Sequence, residues 1–299
     1  MANRRVLVKR RKATRNIRKI TRTMQLVATA RFQAAFNRLA AAKPYNEKLA
    51  EVVGDLSRAL GAAGGDVQHP LLAPPAGSAK RALVVITSNR GLAGSYNSNV
   101  IKAAIAFLDD PARSEKGSDE AIVSGRKGTA FFRFSKRPMS APPVEVADTP
   151  RFEQVEPLAN DLMARFLAGE IASVHVAYMR FLSAGRQRPE VMQLLPLATP
   201  EPAAGAHGGA AQASQQYEFL PDAKSLLEEI LPATVRVRLF QAFNDAAVSE
   251  QVARMVAMKA ATDAAEEMIK QLSRDYNRAR QTAITMELLD IVGGANALA

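Results

Sequence analysis

The sequence predicts an α/β protein framed by a long α-helical coiled coil: an antiparallel pair of N- and C-terminal helices with a small α/β domain between them. Three observations carry this. Residues 1–43 contain neither glycine nor proline, so nothing breaks a helix there. No glycine lies between Ala210 and Val292, and no proline follows Pro232. Between these ends, short apolar runs alternate with helix-like segments, the pattern of a layered α/β domain. The two end helices are the only elements long enough to pair with each other.

Within the N-terminal segment, Ile17, Ile20, Met24 and Val27 recur with gaps of three, four and three, and the stripe resumes at Ala35 and Leu39. Arg31 interrupts a strict heptad, but the spacing predicts one amphipathic helix that continues past Pro44 with a kink. Residues 1–46 hold thirteen Lys or Arg and no carboxylate; the rest of the chain carries 27 cations against 29 carboxylates, a net −2. The basicity is therefore local, and it requires an acidic partner: nucleic acid, anionic lipid or an acidic protein surface. An Arg-rich, acid-free start also suits an organelle transit peptide. Against that, the segment is poor in serine and its periodicity runs on without a cleavage-like break.

Gly61 to Ser78, rich in Gly, Ala and Pro, reads as a linker. Ala82–Thr87 is a continuous apolar run, as in a strand buried on both faces of a parallel sheet. A turn-rich loop, Ser88–Asn97, leads to a helix over about 99–108. A second strand is expected at Glu120–Ser124, helices at Arg126–Phe134 and Phe152–Leu167, and further strands at Ser173–Leu182 and Val191–Leu197. This order predicts a Rossmann-like three-layer α/β domain. The expected division is 1–60 for the first helix, 61–231 for the linker and α/β domain with its core at about 80–200, and 232–299 for the last helix. Pro200–Gln216 is low-complexity Ala, Gly, Gln and Pro, expected to form a mobile loop.

Along the last helix, Met255, Met258, Thr262, Ala265, Ile269, Leu272, Tyr276, Ala279, Ala283 and Met286 recur with alternating gaps of three and four. That averages 3.5 residues, the period of a coiled coil. Small Thr and Ala positions let a partner helix approach closely. Glu266 and Lys270 sit on the outer face in the favourable order. From Gln281 to Ala299 the only charges are Glu287 and Asp290, among Ile284, Met286, Leu288, Leu289, Ile291, Val292 and Leu298. An end apolar nearly all round must be covered, either by the chain's own domain or by a partner. Gly293-Gly294 reads as the helix stop.

Composition removes several chemistries. With no cysteine there are no disulfides, thiolate nucleophiles or cysteine metal sites, and His69, His175 and His207 show no ligand spacing. No apolar run is long enough for a membrane span. The loop after Thr87 invites a nucleotide-binding reading, but Gly91 and Gly94 do not make G-x-G-x-x-G and no G-K-S/T is present; a plain strand-to-helix turn accounts for it. No Ser-His-Asp set or paired carboxylates stand out. A basic helix continuous with a coiled coil suggests a nucleic-acid fork, yet the parallel zipper it needs and the aromatic interleaving for single strands are both missing. A basic coiled-coil nucleic-acid-binding protein and a nucleotide-binding α/β enzyme remain as alternatives.

The end helices carry more specific wording. Arg18–Ala28, RKITRTMQLVA, resembles the N-terminal motif of the γ subunits of F-type ATP synthases. Ser249–Asp263, SEQVARMVAMKAATD, and Tyr276–Val292, YNRARQTAITMELLDIV, resemble the C-terminal helix of that family, and Thr87–Gly94 resembles its loop after the first strand. The resemblance covers nearly the whole chain. It implies a central rotor shaft with no catalytic site and no cofactor of its own. Its partners would be the α and β subunits of the catalytic hexamer, the ε subunit and the membrane ring of c subunits, with no nucleic acid and no membrane span of its own. Proton flow would turn the ring and shaft and drive the β sites through their cycle. The implied location is peripheral, on the cytoplasmic face of a bacterial plasma membrane. Carried over position by position, Lys19, Arg22 and Met24 match the β-facing part of the first helix. Arg254, Gln281, Thr285 and Glu287 match the polar contacts of the last helix with the hexamer. Asp290 stands where the family often has Glu, Ala93 stands where many members have cysteine, and the redox-regulatory cysteine insertion of the chloroplast form is absent.

Overall fold

The computed structural model describes residues 4–62, 69–75, 80–110, 119–140, 142–197 and 223–298. The elements in order are α1 (Arg4–Ala62), β1 (Arg81–Ile86), α2 (Tyr96–Leu108), β2 (Glu120–Ser124), α3 (Arg126–Phe134), α4 (Phe152–Leu167), β3 (Ser173–Ser183), β4 (Arg186–Leu195) and α5 (Ala223–Leu298). They form two compact units, one of Phe32–Val252 and one of Met1–Arg31 with Ala253–Ala299. The loop expected at 200–216 lies outside the described residues.

In the Phe32–Val252 unit, a four-stranded sheet runs in the order β2-β1-β3-β4. β1 pairs parallel with β2 and β3, and β4 pairs antiparallel with β3. All six residues of β1 are buried because helices cover both faces. Ala82, Val84, Ile86, Val174, Val176 and Tyr178 face a core built with α4, α5 and the end of α1. On the opposite face, Phe107 of α2 stacks on His175 at 4.6 Å, and the Arg81 guanidinium lies 4.7 Å from the Phe107 ring. The three-layer expectation holds, with an antiparallel edge strand added to the parallel sheet.

The expected fourth strand began at Val191, but β4 begins at Arg186. Its front half, Arg186–Glu190, pairs with β3 beyond Ala177, where β1 no longer pairs with β3. This ribbon is mostly exposed, so it lacks an apolar alternation to read, and Pro189 is tolerated because β4 is an edge strand. The ribbon is held by Phe181, which packs against Phe32 and Phe36 at 6.3 and 5.9 Å, and by the Ser249 hydroxyl, which donates to the Met179 carbonyl at 3.1 Å. The expected linker also contributes to the core. Leu71 is fully buried, and its carbonyl accepts the Leu197 N–H at 2.8 Å.

In the other unit, α1 and α5 run antiparallel. Arg11 lies over the Tyr276 ring at 5.0 Å, Thr14 donates to the Met268 sulfur at 3.6 Å, and the Thr262 hydroxyl donates to that of Thr21 at 2.8 Å. Rising α1 numbers thus meet falling α5 numbers. On α5 the seam is as expected through Met258, Thr262, Ala265 and Leu272, all buried. On α1 it is not. Ile17, Ile20 and Val27 are 52%, 60% and 48% exposed, whereas Leu7, Thr14 and Ala28 are buried and Thr21 is half-buried between them, at intervals of seven. At Thr262 and Ala265 the α5 seam is small, and close approach of the backbones there, where Thr262 meets Thr21, selects Thr and Ala on α1 and turns the bulky β-branched residues outward. Nor does α5 stop at Gly293-Gly294; it continues to Leu298. Glycine inside a helix costs only about 1 kcal/mol relative to alanine, which weakens the helix without ending it.

Candidate functional site

The surface of the helix pair carries two groups of exposed side chains. The first is the cationic face of α1. Arg4, Arg5, Lys9, Arg10, Lys12, Arg15, Lys19 and Arg22 are all exposed, because the seam takes only one stripe of the helix and these positions lie off it. Arg18 is half-buried and pairs with Glu266 at 3.7 Å across the seam. Lys19 and Arg22 line a groove of about 650 Å³ with Thr23, Thr262, Asp263 and Glu266. The Arg22 guanidinium donates to the Gln25 side chain at 3.1 Å, which orients it along the helix. Met24 is half-buried beside them.

The second group is the end of α5. Ile284, Met286, Leu288, Leu289, Ile291 and Val292 are between 48% and 63% exposed. Among the described residues of the helix-pair unit nothing covers them. Gln281, Thr285, Glu287 and Asp290 are exposed on the same stretch. The Thr285 hydroxyl donates to the Gln281 carbonyl at 3.0 Å, leaving its lone pairs for an outside donor. Glu287 and Asp290 line a groove of about 690 Å³ with Arg4, Leu7, Asp275 and Arg278.

The residues singled out from the sequence therefore divide. Lys19, Arg22 and Met24 come together on α1, and Gln281, Thr285, Glu287 and Asp290 come together at the end of α5. Arg254 stands apart from both and is only 6% exposed within the chain.

The loop after β1 serves a structural purpose. The Arg126 N–H donates to the Asn89 side chain at 3.3 Å, the Lys127 N–H to the Ser88 carbonyl at 3.1 Å, and the Gly128 N–H to the Thr87 hydroxyl at 2.9 Å. These are the first amides of α3, the groups that hold phosphate in nucleotide-binding loops. Here the loop itself consumes them. A Cβ at Gly125 would sit 2.1 Å from the Thr87 carbonyl oxygen, and one at Gly128 would sit 2.6 Å from its hydroxyl, so both glycines are required by this close packing. Among the described residues no group of three or more His, Asp or Glu is placed to hold a metal ion, and no helix is long and apolar enough to cross a membrane.

Sequence reasoning missed one buried polar cluster. Asp245 on α5 is 6% exposed and faces Tyr178 and Arg180 of β3 and Glu190 of β4. Burial pushes its carboxyl up to about 7; Arg180 pulls it down and Glu190 pushes it further up. Burial likewise raises the Tyr178 hydroxyl. The available signal was a carboxylate followed directly by the apolar run Ala246–Val248 and preceded by Ala242 and Phe243.

A family model described as ATP synthase matches residues 3–298. The chain is 43% identical over 302 residues to the ATP synthase gamma chain of Rhodopirellula baltica, covering 100% of this chain and 99% of that one. It is 41% identical over 301 residues to the ATP synthase gamma chain of Gemmatimonas aurantiaca, with the same coverage. Among solved structures, a chain of the Euglena gracilis mitochondrial ATP synthase matches with a TM-score of 0.64 at 16% identity, over 99% of this chain and 94% of that one. A chain of the Tetrahymena thermophila mitochondrial ATP synthase central stalk and c-ring matches with a TM-score of 0.56 at 16% identity, over 81% and 99%. At that identity the structural likeness speaks for the fold.

Proposed function

The chain belongs to the family of ATP synthase gamma chains, and from that premise we propose that it is the central rotor shaft of an F-type ATP synthase. It couples proton flow through a membrane ring of c subunits to the conformational cycle of catalytic β subunits. The helix pair turns inside the hexamer of α and β subunits, and the ε subunit and c ring are its further partners. The chain itself holds no catalytic site; bond making and breaking belong to the β subunits. It is peripheral to the membrane, on the cytoplasmic side.

The observation that carries this reading is the tip of α5, apolar and exposed over its last turns. A surface of this kind is unfavourable in water and requires a covering sleeve. Hydrophobic contact is non-directional, so a sleeve can hold the tip at every angle of rotation. Gln281, Thr285 and Glu287 differ from it physically. Their hydrogen bonds form only within a narrow range of distance and angle, so they favour particular angular positions. The cations of α1, including Lys19 and Arg22, meet acidic loops of the β subunits. A nucleic-acid fork does not suit this geometry, since the basic helix is paired antiparallel with α5 from Arg11 to Thr21.

The test is steady-state ATPase of the reconstituted complex. Replacing Gln281, Thr285 and Glu287 together by alanine lowers turnover although none lies in a nucleotide site; a triple variant at the wild-type rate refutes the assigned contacts. Reversing Arg15, Lys19 and Arg22 to Glu weakens ATP-driven proton pumping. Arg11 is left out because it stacks on Tyr276 and its loss would disturb the helix pair itself.

A further inference from the structure

A second cationic surface lies far from the first in sequence. Between Glu120 and Glu145 the chain has five Lys or Arg and no carboxylate. Arg126, Lys127, Arg133 and Lys136 are exposed there, on α3 and the turn after it. Arg137 is engaged by a bidentate pair with Asp109 at 2.8 and 2.7 Å. Phe134, next after Arg133, is 88% exposed, the most exposed large apolar side chain among the described residues.

Arg126 and Arg133 line one wall of a groove of about 900 Å³, with Thr129 and Ala130 between them. The opposite wall is the strap Pro143–Thr149, which carries Glu145 and Asp148. Asp148 is held by Arg90 at 3.0 Å, and among the described residues neither Arg126 nor Arg133 forms an ion pair. The groove is thus polarised, cationic on its helix side and acidic on its strap side. Pro143, Val144 and Ala130 supply apolar surface.

The geometry selects the kind of occupant. The first amides of α3 are consumed by the loop after β1, so a single phosphate has no backbone cradle here. Arg126 and Arg133 are seven residues apart, about 10 Å along the helix axis. No inorganic anion spans that distance. Two carboxylates seven apart on a helix do so at about 10 Å. The concave wall formed by the strap excludes a flat bilayer but admits a peptide chain.

We propose that the groove between α3 and the strap Pro143–Thr149 is a docking site for an acidic protein segment, with Arg126 and Arg133 each engaging one carboxylate and Phe134 covered by an apolar side chain of the same partner. The site lies outside the helix-pair surfaces used for the rotor reading and goes beyond it.

The test places the photo-reactive residue p-benzoylphenylalanine at position 130 of the full chain, assembled in its complex in native membranes. The expected product is a cross-link to one protein segment bearing two carboxylates at the stated spacing. Its yield falls roughly tenfold or more in Arg126→Glu/Arg133→Glu, where each attraction becomes a repulsion. It is unchanged in Arg186→Glu/Arg188→Glu, a control at the exposed β4 ribbon. The milder Arg126→Gln/Arg133→Gln gives a smaller loss and guards against misfolding. A lipid adduct, a cross-link that survives both substitutions, or reaction with solvent alone overturns the proposal. ATPase and assembly of the same complexes report separately on the rotor reading: normal assembly without the cross-link leaves the rotor standing and removes the docking site.

Discussion

Replacing Asp245 by asparagine removes a carboxyl that the fold holds in an environment unsuited to charge. The carboxylate is 6% exposed, lies beside Arg180 and Glu190, and titrates at about 7 instead of 3.8. The sign follows from proton counting. Between 3.8 and about 7 the folded chain holds a proton that the unfolded chain has lost, so stability falls as pH rises through this window and is flat above it. At 1.36 kcal/mol per unit the full effect is on the order of 4 kcal/mol, and roughly 2–3 kcal/mol of it falls between pH 5 and pH 8. The asparagine variant keeps the size of the side chain and cannot ionise. Urea unfolding of the full chain, followed by far-UV circular dichroism at pH 5, 6, 7 and 8, should show wild type losing roughly 2–3 kcal/mol relative to Asp245→Asn across that range. Other titrating groups cancel in the difference between the two proteins. A difference constant to within about 0.5 kcal/mol over the four pH values would refute the assignment of the shift to burial of this carboxyl.

The α1 seam can be tested by volume. Ala28→Leu should cost about 1–3 kcal/mol by overpacking the close approach, whereas Ile20→Ser should change stability by no more than about 0.5 kcal/mol; equal losses would restore the stripe through Ile17, Ile20 and Val27. At Glu120 the sign is opposite to that at Asp245. Burial alone would raise its carboxyl, but hydrogen bonds from Arg165, Lys80 and Ser140 outweigh it and hold it at about 2. Its stabilisation is present above 4.5 and is lost as pH falls toward 2, so Glu120→Gln should unfold with a shallower acid limb than wild type. Parallel acid limbs would show that the three donors contribute nothing.

Much of this protein is readable from its residues. Wherever an element is buried on a regular period, its limits are visible: Glu120–Ser124, Arg126–Phe134 and Phe152–Leu167 are bounded as their sequences indicate. The α5 seam is visible too, because Met258, Thr262, Ala265 and Leu272 keep a 3.5-residue period without a breaker. The family wording of the end helices is equally explicit. So is the exposed tip, whose apolar composition announces a missing cover, although the sequence left open whether the chain itself supplied it.

Tertiary structure decided what hydrophobicity alone could not rank. On α1, two stripes compete, one of isoleucine and valine and one of threonine and alanine. The winner is set by how closely α5 approaches, a property of the other helix. The outer half of β4 carries no apolar signal because it pairs beyond the end of β1, and only the pairing partner makes it a strand. The loop Thr87–Gly94 has the glycines of an anion cradle, but which group occupies the first amides of α3 depends on residues about 40 positions away in the chain, Thr87, Ser88 and Asn89. Asp245 looks like one more surface carboxylate until the ribbon of β3 and β4 closes over it. In each case the sequence states what a residue prefers, and the neighbour that folding brings to it determines which preference is satisfied.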